Sequence, residues 1–336
     1  MTFDGVVETI SFCYRAQVPL MIWGPPGCGK SAAGKFSATQ IGQELGITMG
    51  YRDVRVSTLD PVDLRGMPFP DMDTLIVRWL RQGFLPDSGE GLLMLDEITS
   101  AAPAMQAALY QLALDRCIGD YQLPPGWGII AAGNRMQDRG VAYRMATPLA
   151  SRFCHVEMAV DVKVWTDWYW DTGLPMEVGM YVNFMPDMLF QFDPNSKDPA
   201  FPAPRTIEMA AKLYAQNPPK KLLHSLVEGC CGKDWVAGFI GFLKAYKDMP
   251  TIQSIHLNPD TAHIPSDPSA LAGIAAGLAV HADTGNMAAT MKYAERLPRE
   301  YATLLVKQTL RLHPKLDSTP GVAKWQVKNT KYLSAA

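Results

Sequence analysis

Net charge, cysteine pairing and long apolar runs are all scarce in this chain of 336 residues. The formal charge is only −2. It supplies no overall basic field, so nucleic acid is not the favoured partner. Six cysteines are present (Cys13, Cys28, Cys117, Cys154, Cys230 and Cys231), without a C-x-x-C pairing. Cys28 falls inside a glycine-rich loop, where a disulfide would distort the backbone. Reduced thiols and a cytoplasmic location are therefore expected. The adjacent Cys230 and Cys231 read as small buried apolar residues. There is neither a signal-peptide pattern nor an apolar run of spanning length. The nearest stretch, Ala270–Val280, is too short and holds two glycines, so no membrane insertion is expected. No internal repeat appears.

Apolar residues make up 48% of the chain and charged residues 19%, an ordinary globular balance. The length exceeds what one hydrophobic core commonly serves. The pattern along the chain divides it into an α/β core over 1–159, a helical region over 160–250 and a further helical extension over 251–336.

The most informative stretch is Met21–Ser31, MIWGPPGCGKS. An apolar strand pattern runs into a glycine-rich turn of the form G-x-x-x-x-G-K-[ST], and a helical pattern follows to about Leu45. Glycines let successive backbone N–H groups curl around phosphate oxygens, and the new helix aims its positive end at the same charge. Gly24, Pro25, Pro26, Gly27, Cys28, Gly29, Lys30, Ser31 and Ala32 form the expected cradle. Lys30 would reach the terminal phosphates and the Ser31 hydroxyl would bind Mg²⁺.

Further along, Tyr51–Ser57 alternates like a strand, and Leu59–Gly66 reads as a short helical turn. Met67–Arg81 is an apolar hairpin inserted where a short connection would suffice, either a contact surface or packing on its own domain. Gly91–Glu97, GLLMLDE, is a buried-strand run ending in two carboxylates. A helix over Ala101–Asp115, a strand over Trp127–Ala132, a helical turn over Pro148–Arg152 and a strand over Phe153–Met158 complete an alternating α/β rhythm, which implies a parallel sheet with its chemistry at the strand C-termini. From Val160 the pattern is helical: Val162–Thr172, Glu177–Leu189, Thr206–Gln216, Lys221–Glu228 and Trp235–Lys247. Trp165, Trp168 and Trp170 read as packing residues. Beyond Pro250 the expectation is a His- and Pro-rich loop, a helix near Pro268–Ala282, one charged helix near Met287–His313, and a Lys-bearing tail.

The carboxylates supply what the loop lacks. Asp96 would hold Mg²⁺ beside Ser31, and Glu97 would orient or deprotonate an attacking water. Asn134, at the tip of the next strand, offers an amide to the γ-phosphate and to that water. Arg152 could reach into a neighbouring subunit's site to neutralise developing charge. Arg205, at the head of a helix in the second region, could touch the γ-phosphate. Arg135, Arg139 and Arg144 compete for these arginine roles, with Arg144 a possible second finger.

The order GPPGCGKS, LLMLDE, AAGN, LASRF and PRTI resembles that of AAA+ ATPases. More narrowly, DPVDLRG before the hairpin and MQAALYQL after the acidic pair resemble the MoxR branch, including the Rubisco-activating and nitric oxide reductase maturation subgroups. The resemblance covers about residues 1–250. It implies an AAA+ parallel sheet sandwiched by helices, with a hairpin insertion and a helical lid. Lys30 and Ser31 would be Walker A residues, Asp96 and Glu97 Walker B, Asn134 sensor 1, Arg152 the arginine finger and Arg205 sensor 2. It also implies ATP and Mg²⁺ as cofactors, a homo-oligomeric, hexameric ring, a protein client and a partner with a von Willebrand factor A domain. The chain departs from many MoxR members in having Ala-Ser-Arg-Phe where they carry an acidic residue with Asp-Arg-Phe. An ATP-gated scaffold, a nucleic-acid motor and a small-molecule kinase are the other readings of the loop.

Overall fold

The three longest apolar strand runs of the first half are buried on both faces, and the sheet they build explains why. The computed structural model describes residues 1–138, 143–247 and 249–333. The chain divides into two units, one of Met1–Asp161 with Phe192–Lys197, the other of Val162–Gln191 and the chain from Asp198 onward.

The first unit runs α1 (Phe3–Ala16), β1 (Leu20–Trp23), α2 (Lys30–Leu45), β2 (Gly50–Arg55), α3 (Pro61–Arg65), β3 (Met67–Asp71), β4 (Ile76–Leu80), β5 (Gly91–Asp96), α4 (Pro103–Asp115), β6 (Cys117–Ile118), β7 (Tyr121–Gln122), β8 (Trp127–Gly133), α5 (Thr147–Ala150) and β9 (Cys154–Glu157). Five strands form one sheet in the order β2-β5-β8-β1-β9, every pair parallel. Because side chains alternate across a strand, each run feeds two cores. Leu20, Ile22, Leu92, Met94, Ile130 and Ala132 pack under α1 and α2 with Val6, Ile10 and Ile41. Met21, Leu93, Leu95, Ile129 and Ala131 pack on the other face with Met105, Leu109 and Leu112 of α4. Each large side chain so buried contributes about 1.5–3 kcal/mol.

β3 and β4 pair antiparallel, from Met67↔Leu80 to Asp71↔Ile76, as the insert pattern predicts. The turn is made by Asp71, whose Oδ1 accepts from the Asp73 and Thr74 N–H groups at 3.1 and 3.2 Å, an Asx-type turn. The hairpin keeps its apolar side chains in solvent: Met67, Phe69, Met72, Leu75, Ile76, Val77 and Leu80 are all exposed. A second small hairpin, β6–β7, is too short to leave a strand pattern in the sequence.

The second unit is helical: α6 (Val162–Trp170), α7 (Met176–Phe184), α8 (Pro204–Tyr214), α9 (Lys220–Cys231), α10 (Lys233–Lys247), α11 (Ile252–Leu257), α12 (Pro268–Val280), α13 (Met287–Ala294), α14 (Arg299–Leu312) and α15 (Pro320–Leu333). Its centre is α12, buried almost all round by Ala270, Leu271, Ala272, Ile274, Ala275, Ala276, Leu278 and Ala279, which accounts for the Ala/Gly-rich run. Helices from both sides of residue 250 meet there, since α12 packs on α7, α10 and α14. Among the described residues no helix is long and apolar enough to cross a membrane. Trp165 is buried within this unit, whereas Trp168 is exposed.

The structure corrects three expectations beyond residue 250. The single helix over Met287–His313 is two, α13 and α14, because Pro298 can start a helix but not continue one. The His- and Pro-rich loop contains α11, whose N-cap Thr251 accepts from the Ser254 N–H. The tail forms α15, which anchors Val322 and Trp325 in the unit's core.

The two environments give a direct stability test. Leu93→Ala, at a fully buried site, should cost ~2–5 kcal/mol of unfolding free energy. Ile76→Ser in the exposed hairpin should change it by less than about 0.5 kcal/mol. Urea denaturation of the full chain reads both.

Candidate nucleotide site

Three strand tips converge on one point because of the strand order. β8 lies between β1 and β5, so the residue that follows it, Asn134, stands between the loop after β1 and the carboxylates after β5. The register sets the depth, with Trp23 level with Gly133 and Arg55 level with Asp96.

The loop Gly24–Gly29 turns sharply into α2. Gly29 has φ +105°, a conformation that side chains with a Cβ rarely adopt. α2 then starts with no capping side chain and no acidic residue in its first turn. Such an end presents backbone N–H groups and a positive dipole end, which an anion satisfies. Pro25, Pro26, Gly27 and Cys28 form the turn, and Ala32 lies in the first turn of α2.

Lys30 is buried to 9% exposure. Its Nζ donates to the carbonyls of Gly24 at 2.7 Å and Pro25 at 3.0 Å, and to Asn134 Oδ1 at 3.0 Å. The ammonium thus sits beneath the loop and ties it to the tip of β8. The Ser31 hydroxyl donates to Asp96 Oδ2 at 2.6 Å. The Asp96 Oδ1 accepts from the Glu97 N–H at 2.8 Å. Sequence-predicted Lys30 and Asn134 are therefore in direct contact, as are Ser31 and Asp96.

Glu97 adopts φ +58°, rare for a residue with a Cβ. This bend carries its exposed carboxylate toward the turn after β2, where the Ser57 hydroxyl donates to it. Partial desolvation, followed by the Asp96 charge, holds the Asp53 carboxyl above its ordinary value, with Arg55 opposing. Burial likewise pushes the Tyr51 phenol up, so it stays protonated and donates to the Ser31 carbonyl at 3.1 Å. Burial raises the Cys28 thiol, with nearby Lys30 acting the other way.

Two further residues had no visible role in the sequence. Thr99, buried, accepts from the Asn134 N–H at 3.2 Å and fixes the end of β8. Its side chain lies so close that a Cβ on Gly133 would meet it at 2.6 Å. Ser57 is the second. A Thr or Ser at a strand-end turn is too common to single out, and only its partner identifies it.

The arginines separate. Arg135 is tied to Asp138 at 2.9 Å and to Glu157, which gives it a structural task. Arg144 is exposed and lines a cleft of about 280 Å³ with Trp23, Thr99, Asn134, Met136 and Tyr143. Arg139 lies outside the described residues. Arg152 follows α5 and lies on α4, where its guanidinium covers the Tyr110 ring at 3.7 Å. Arg205 belongs to the second unit, exposed in the first turn of α8. The start of that helix is closed by the Ala203 N–H donating to Thr206 Oγ1 at 2.9 Å.

Lys30→Ala removes the buried cation at the point of convergence. Mg·ATP affinity should fall at least about 100-fold, roughly 2.7 kcal/mol, in a titration with a fluorescent ATP analogue. Wild-type affinity in this variant would remove Lys30 from the site.

No family model matches the chain, and no curated protein matches it. Solved structures do. NtrX from Brucella abortus in complex with ATP is 13% identical, with 97% of this chain and 67% of NtrX covered and a TM-score of 0.41. A RuvB variant from Thermotoga maritima is 17% identical, with 84% of each chain covered and a TM-score of 0.38. A putative ATPase from Cytophaga hutchinsonii is 11% identical, with 91% and 79% covered and a TM-score of 0.37.

Proposed function

We propose that this chain is a Mg²⁺-dependent ATP hydrolase of the AAA+ class, MoxR branch, working in the cytoplasm as a homo-oligomeric, hexameric ring that remodels or activates a protein client. The observation that carries the reading is a pair of contacts from adjacent residues, Lys30 to Asn134 and Ser31 to Asp96. A glycine-rich loop alone says only that phosphates bind. These contacts support a reading in which Ser31 and Asp96 would take a metal and Asn134 would offer its amide to the terminal phosphate.

The residues fit the nucleotide in charge and in donor set. Lys30 and the uncapped start of α2 supply positive charge and N–H donors. Ser31 and Asp96 would hold Mg²⁺ with phosphate oxygens and water completing its shell. Among the described residues there is no group of three His, Cys, Asp or Glu that could hold a metal alone. The bound nucleotide supplies the phosphoanhydride that is broken. Asn134 would orient the attacking water, and Glu97, turned outward by its backbone, would accept its proton once released from Ser57. By their places in the order of motifs, Arg152 is proposed for a neighbour's site and Arg205 for the terminal phosphate. The exposed apolar β3–β4 hairpin is the surface through which such a motor would meet its client, and a von Willebrand factor A protein is the proposed partner.

Glu97→Gln should retain ATP binding and lose at least about 100-fold in turnover; normal phosphate release by this variant would sink the hydrolase reading. Arg152→Ala should be equally slow alone yet regain activity when mixed with Glu97→Gln subunits, because the lesions lie on opposite sides of a shared site. An ATPase rate per subunit that never varies with protein concentration would count against that sharing.

A further inference from the structure

Arg152 is held in place by an unusual set of contacts for a residue at the edge of a sheet. Its guanidinium carbon lies 3.7 Å from the centroid of the Tyr110 ring. Nη2 donates to the Tyr110 hydroxyl. Nη1 donates to the Pro148 carbonyl and, at 3.2 Å, to Ser151 Oγ. Nε is buried with no hydrogen-bond partner among the described residues. The backbone around it is pinned, since Leu149 and Phe153 are both buried in the α4 core.

Tyr110 reaches this position through the geometry of α4. Met105, Leu109 and Leu112 face inward, and a step of one residue from Leu109 turns about 100° around the helix. Tyr110 therefore lies half-buried on the margin of that face, beside α5, which packs on α4. An aromatic face carries a guanidinium plane, and a phenol oxygen adds one directed acceptor at its edge.

We infer that Tyr110 is the positioning residue for Arg152, its ring and hydroxyl setting the direction in which the guanidinium is presented to a second copy of this chain. The inference rests on the proposed shared site. A flexible arginine on a surface samples many rotamers and delivers its charge only rarely to a fixed point. One held on a ring is pre-oriented, so less ordering is required when it engages.

The test uses full-length subunits and the complementing pair, Arg152→Ala with Glu97→Gln. In the mixture, only the Glu97→Gln subunit donates Arg152, and only the Arg152→Ala subunit has an intact hydrolytic site. Tyr110→Ala placed in the Glu97→Gln subunit should cut the rescued kcat at least fivefold with KM for ATP unchanged. The same substitution in the Arg152→Ala subunit should leave the rescued rate within twofold. Tyr110→Phe, which keeps the ring, should retain at least half of the rescue in the first placement. Equal loss in both placements would show general damage to the fold and overturn the role, as would no loss in either. If the pair gives no rescue while Tyr110 is intact, the shared site itself fails, and that outcome is separate from rescue that is indifferent to Tyr110.

Discussion

One ammonium group holds the centre of the first unit together. Lys30 Nζ is nearly out of solvent, satisfied by two carbonyls of its own loop and one side-chain amide from another strand. A buried cation is tolerated only where such acceptors converge. The loop must therefore curl back over the start of α2, and β8 must end level with it. Both conditions are met by a parallel sheet whose middle strand runs directly into Asn134.

The acidic side of the site depends on that same centre. Ser31 and Asp96 are neighbours because β5 flanks β8 on the side away from β1, with Leu92–Leu95 buried on alternate faces to hold its position. Past Asp96 the chain leaves strand geometry at once. The left-handed conformation of Glu97 separates two adjacent carboxylates, one turned to the Ser31 hydroxyl and the other to Ser57. Two neighbouring acids thereby receive different surroundings.

The outer features follow a different logic. The β3–β4 hairpin keeps its apolar residues exposed because its turn and pairing are satisfied internally, through Asp71 and the Asp71–Arg78 ion pair at 2.6 Å. Arg152, Tyr110 and the short α5 form a second outward feature, built on buried Leu149 and Phe153. The second unit is organised around a helix so apolar that it is covered on nearly every side, and that burial requires the helices flanking it in sequence to surround it.

The sequence by itself determined the loop, the strand runs and the two acidic positions, because each depends on short-range physics. Glycine conformation, side-chain alternation and the limits of proline act over a few residues and leave a readable period. It also showed the hairpin insert, whose apolar pair of runs flanks an Asp-rich turn. The one-helix reading of Met287–His313 failed where charged residues carried a helical pattern across Pro298. Only the tertiary structure decided the partners: Ser57 for Glu97, Thr99 for Asn134 and Tyr110 for Arg152, each separated by 35–42 residues in the chain. Those pairs arise from strand order and helix packing, and no local pattern records which distant hydroxyl or ring will arrive beside a given side chain.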